Sequence, residues 1–166
     1  VKVRYIILFL LLFGITGYLR ERFFEHMNVI IHTVYFHEDT YSELHLQAPA
    51  LMKPFLNWSY PALYYSKYLF TLAWTALFFL ISFFAIKIIT GNKKLLRFLF
   101  YAYAALLLLA ALSLAYGYLV NQRLNEDEYT LSRWLLGVAQ SPLICLILVA
   151  SSKLYNTSFQ NKNTSL

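Results

Sequence analysis

The chain has one cysteine, Cys145, in 166 residues. That excludes an internal disulfide and any CxxC redox pair. Charge is also scarce. Asp, Glu, Lys and Arg make up 13% of the chain, against about a quarter in a soluble domain. So few charges cannot cover a globular surface in water, but they suit a surface that faces lipid. None of the eight acidic residues lies inside an apolar run, and proton or ion carriers usually place one there. The second, third and fourth apolar runs also lack His and Met, the residues that hold a transverse haem between membrane helices. Transport and electron transfer by this chain alone are therefore disfavoured, and no cofactor is expected.

What is abundant is apolar and aromatic. Hydrophobic residues make up 60% of the chain and aromatics 19%, with 14 Tyr and 14 Phe. Rings with a polar tip concentrate where membrane meets water. Four runs are long enough to be read as membrane helices, over about 3–19, 61–90, 95–120 and 132–152. The first follows Lys2 and Arg4 and is similar to a signal peptide. Gly14, Thr16 and Gly17 make a poor cleavage site, so a retained helix acting as an uncleaved signal anchor is expected. Ser59 and Pro61 open the second helix as cap and first-turn residues. Gly91-Asn92-Lys93-Lys94 is a tight turn. The third helix is rich in small residues, which allow close approach between membrane helices; Ala104, Ala111 and Ala115 share one of its faces, and Ala110, Ser113 and Gly117 form a neighbouring one. Pro142 is expected to kink the fourth helix. Residues 153–166 read as a polar, flexible cytoplasmic tail. Three glycosylation-type triplets, at Asn57, Asn156 and Asn163, are attributed to chance.

The sequence thus predicts an all-α fold: a single-domain integral membrane four-helix bundle over 1–166 with one outward loop at 20–58. The charges orient it. The side holding both ends and the middle turn carries Lys2, Arg4, Lys87, Lys93, Lys94, Arg97, Lys153 and Lys162 and no acid. The opposite side carries every acidic residue. Basic residues in short connections mark the cytoplasmic face. Both ends are therefore expected in the cytoplasm of a cell membrane (the inner membrane of a bacterium), with the loop in the periplasm. The net charge of +6 reflects this orientation, and nucleic acid is not expected as a partner.

Chemistry-bearing residues gather in the outward loop, which holds all four histidines and Glu21, Glu25, Glu38, Asp39 and Glu43. Over 20–36, Phe23, Met27, Ile30, Ile31 and Val34 make one helical stripe, and Glu21, Glu25, Asn28 and His32 make another. This is a short amphipathic helix, lying on the membrane or standing on the first helix. Glu25, His26, His32 and His37 are the candidate metal ligands. His26 and His32 are six apart and face different ways, Glu25 and His32 share a face, and there is no HExxH. The expected contact residues for a partner are Phe23, Glu25, Asn28 and His32 on this segment, and Ala111 and Ala115 on the third helix.

Two stretches carry a resemblance. GYLRERFFEHMN directly after the first helix and YYSKYLFTLAW opening the second resemble small four-helix membrane proteins of Bacteroidota-type bacteria, some of them labelled exosortase-associated. The Cys, Arg and His set that exosortases use in membrane helices is missing, so the resemblance implies an accessory partner and not the peptidase. Glu21-Arg22 with His26 and Asn28 is also similar to a pattern in four-helix eicosanoid and glutathione enzymes, one residue short of it and on the opposite side of the membrane. The expected function is a non-catalytic accessory subunit of a membrane assembly in export or envelope processing, meeting the bilayer and other integral membrane proteins. The alternative is a membrane enzyme whose outward His and Glu residues act on a lipid or lipid-linked substrate.

Overall fold

The computed structural model describes residues 2–36, 49–50, 52–121 and 126–163. Among these the regular elements are all helical: α1 (Lys2–Phe36), a 3₁₀ turn (Lys53–Asn57), α2 (Tyr60–Ile89), α3 (Lys93–Asn121), α4 (Glu126–Ala139) and α5 (Leu143–Asn163). Three helices (α1, α2 and α3) are long and apolar enough to cross a membrane, and the bent pair α4–α5 makes a fourth if it counts as one span. These are the helices of a multi-pass membrane protein, with an outer surface suited to lipid.

The expected end of the first helix at residue 19 is not there. α1 runs on without interruption to Phe36, so the amphipathic helix over 20–36 is a direct continuation of the first span, one of the two arrangements the sequence leaves open. Two causes are visible. No Gly or Pro interrupts the sequence from Tyr18 to Phe36. The charges that suggest an exit from the membrane are also paired along the helix: Arg22 Nη1 meets Glu25 Oε2 at 3.1 Å, and Arg22 Nε donates to the Tyr18 hydroxyl at 3.3 Å. At 1.5 Å per residue α1 is about 52 Å long, well beyond a ~30 Å apolar core.

The turn between α2 and α3 follows from its sequence. The Ile86 carbonyl accepts from the Thr90 N–H, the Thr90 hydroxyl and the Gly91 N–H, which closes the end of α2. Gly91 has φ of 65°, a left-handed conformation that favours glycine. Asn92 Oδ1 then accepts from the Lys94 N–H at 2.9 Å and caps α3.

The fourth run bends where Pro142 is expected to kink it, and the bend is a full break. It is two helices meeting at 53° across Gln140–Pro142. α5 also extends through the region expected to be a flexible tail, as far as Asn163.

The chain forms two compact units, Val1–Gly14 with Thr75–Leu166, and Ile15–Trp74. The first has a core of Phe9, Phe13, Phe78, Ile81, Ala85, Ile86, Leu99, Tyr103, Ala139 and Cys145. Within it α3 packs against α4 and α5. The second unit is built from the distal part of α1, the 3₁₀ turn and the first half of α2, around Met27, Ile30, Met52, Leu56 and Leu63.

Candidate functional site

The residues with chemistry in the second unit are displayed by a helix whose other side is anchored. Met27, Ile30, Leu56 and Leu63 are buried, with Phe23, Ile31, Val34, Phe55 and Phe70 packed around them. The apolar stripe of α1 is thus occupied by the chain's own 3₁₀ turn and by α2. Phe23 is the centre of an aromatic cluster, with ring centroids 4.8 Å from Phe70, 6.2 Å from Trp74 and 6.3 Å from Phe55. Pro54 sits in the first turn of the 3₁₀ segment, and the Phe55 N–H donates to the Met52 carbonyl at 3.0 Å. That tight turn delivers Leu56 into the core. Thr33 is buried too; its hydroxyl donates to the Val29 carbonyl at 3.0 Å, so its polarity is met within the helix.

The opposite face of α1 is open. Glu21, Arg22, Glu25, Asn28, Val29, His32, Tyr35 and Phe36 are all exposed. The four polar residues read from the sequence as one stripe do share this face. At its far end the His32 ring lies 4.5 Å from Phe36, and Tyr35 meets Tyr60 at 5.1 Å. From there Tyr60, Tyr64 and Tyr68 follow along α2, and the Tyr68 hydroxyl donates to that of Tyr64 at 3.1 Å. The surface therefore combines a charged ridge with phenol rings, the composition of a contact surface with aromatic anchors.

The metal candidates divide. Glu25 and His32 share a face but lie seven residues, about 10 Å, apart along the helix, against the four-residue step of a helical metal pair. His26 is half-buried and points elsewhere. Among the described residues no three His, Cys, Asp or Glu side chains gather as a metal would need. His37, with His45, Glu38, Asp39 and Glu43, lies outside the described residues.

In the first unit Ala104, Ala111 and Ala115 are exposed along α3, while Ala110 is buried. This unit also contains two polar pairs that were not expected. Gln140 Nε2 donates to Thr75 Oγ1 at 2.8 Å, and the hydroxyls of Ser82 and Tyr103 lie 3.4 Å apart. All four residues are buried. Thr75 and Ser82 are seven apart, so they lie on the same face of α2 as Phe78 and Ala85. Two hydroxyls at that spacing in an otherwise apolar run were the signal available in the sequence.

Comparison with known proteins gives no relative: no family model matches the chain, and neither a curated protein nor a solved structure matches it significantly.

Proposed function

We propose that this protein is a non-catalytic accessory subunit of a membrane assembly in export or envelope processing, and that it acts by recognition through the distal part of α1. The observation that carries this reading is the division of labour on that helix. One face is held in an aromatic and aliphatic core, and the other presents Glu21, Arg22, Glu25, Asn28 and His32 in fixed order. A preorganised surface loses little freedom on binding. In this reading α1, α2, α3 and the bent α4–α5 pair form a four-helix membrane bundle. The turn carrying Lys93, Lys94 and Arg97 faces the cytoplasm with both ends of the chain, and the distal part of α1 stands outside with the connection to the 3₁₀ turn. Support for that orientation is the acid-free, basic α2–α3 connection. The exposed row Ala104, Ala111 and Ala115 offers a second contact, to a helix of another integral membrane protein.

The test is extraction in a mild detergent and identification of what remains bound. Other membrane subunits in fixed ratio are expected. A chain that purifies alone with a lipid headgroup or metal in the α1 region would replace this reading with that of an enzyme.

A further inference from the structure

The fourth apolar run is built around a joint. α4 ends at Ala139, α5 begins at Leu143, and the two differ in direction by 53°. Pro142 removes one N–H and keeps the helix from running straight through. The groups left over are met locally. The Ser141 N–H and hydroxyl both donate to the Val138 carbonyl, at 3.2 and 2.8 Å, and the Leu143 N–H donates to Ser141 Oγ at 3.3 Å. These bonds make the break tolerable in an apolar medium. They belong to the joint itself, however, and do not set the direction in which α5 leaves it.

A bond of longer range adds a tie to a neighbouring helix. Gln140, the first residue of the joint, reaches α2 and donates from Nε2 to Thr75 Oγ1 at 2.8 Å. Both residues are buried. Thr75 stands on the face of α2 that also carries Phe78, Ser82 and Ala85, all within the core. At such buried positions a lost hydrogen bond is not replaced by water. Gln140 and Thr75 thus tie the joint to α2, a helix that runs past it unbroken. Five residues further on, Cys145 is packed in the same core as Phe78 and Tyr103.

We infer that the Gln140–Thr75 hydrogen bond is a latch: it holds the α4–α5 joint in its bent form, Pro142 permits that form, and release of the latch lets α5 change direction. This is a conformational device of the membrane unit and does not depend on what the distal part of α1 binds.

The test uses the full chain in lipid nanodiscs. Nitroxides are placed on α3 at Phe98→Cys and on α5 at Leu154→Cys, both exposed positions, in a Cys145→Ala background, and their separation is read by pulsed electron resonance. The arm from Leu143 to Leu154 is about 18 Å long, so turning it shifts or broadens the distance by on the order of 5 Å or more. Thr75→Val and Gln140→Leu are expected to do this, while Thr75→Ser, which keeps the hydroxyl, retains the original distance. A Thr75→Val distribution that superimposes on the original overturns the inference. Alkylation of native Cys145 by N-ethylmaleimide in membranes reads the same event without purification. At least tenfold faster reaction is expected in Thr75→Val and Gln140→Leu than in the unaltered chain and Thr75→Ser; equal rates overturn it.

Discussion

The rings of Phe23 and Phe70 meet edge-on with centroids 4.8 Å apart, joining the distal part of α1 to the first half of α2. Edge-to-face pairs of this kind add to simple burial. The pair explains why the amphipathic stretch of α1 is not a helix lying free on a lipid surface. Its apolar stripe is already covered by this chain, and the face left open carries the polar ridge together with Val29, Tyr35 and Phe36.

The seam should therefore be a stability element. Met27 is fully buried in it, and Met27→Ala is expected to cost about 2–5 kcal/mol. Phe23→Asp or Ile31→Asp should disrupt the unit outright, since a carboxylate cannot occupy that site without large cost. Thermal unfolding in detergent checks both. Unchanged melting in Met27→Ala would mean that the seam holds nothing together.

This seam also shows how far the sequence could be read. The spacing of Phe23, Met27, Ile30 and Val34 was enough to identify the buried face. What covers it was not legible, because Leu56, Leu63 and Phe70 are far away in the chain and carry no periodic signal that names α1 as partner. The periodicity over 20–36 reads as a helix, but it leaves open whether that helix lies on the membrane or stands on the first span. In the structure α1 runs on as one helix, with Arg22 paired to Glu25 on its open face. In the fourth run Pro142 announced a break, but its geometry depends on Gln140 and Thr75, and no local pattern links two positions on different helices.

The α3 face that carries Ala111 and Ala115 should behave differently from its neighbour. Ala111→Leu and Ala115→Leu alter an exposed surface, so the isolated chain should melt as before while its assembly with other membrane proteins weakens. Ala110→Leu, at a buried position, should destabilise the chain itself by about 1–3 kcal/mol through overpacking. Leu107→Ala and Leu109→Ala serve as controls with little effect on assembly. Equal assembly in all these variants would remove α3 from the interface.

Removing the buried Ser82–Tyr103 contact should have only a modest effect. Tyr103→Phe is expected to cost on the order of 0.6 kcal/mol, the average for hydrogen bonds between membrane helices. Resistance to denaturation in mixed micelles is the measurement. A loss several times larger would mean that the phenol does more than hold two helices together.

The histidines separate recognition from metal chemistry. His26→Gln, His32→Gln, His37→Gln and His45→Gln, made singly, should each leave complex formation within a few-fold of the original, and elemental analysis should find no stoichiometric metal to lose. Loss of bound metal and of activity in two or more of them would favour the enzyme.

The orientation is tested by reporters. Fusions after Lys94 and beyond Lys153 should report cytoplasm, and fusions near Asp39 and Asp127 the exterior, because basic residues in short connections favour the cytoplasmic side. A Lys94 fusion found outside would invert the arrangement.

The most direct measurement of the central claim is a pull-down from membranes with Glu25→Ala, Asn28→Ala and His32→Ala combined, beside the unaltered chain. These three side chains share the exposed ridge and lie outside the buried core. If the ridge is the recognition surface, the triple variant inserts and melts normally but loses its associated membrane subunits. Full retention of those subunits by a normally folded triple variant would contradict the account.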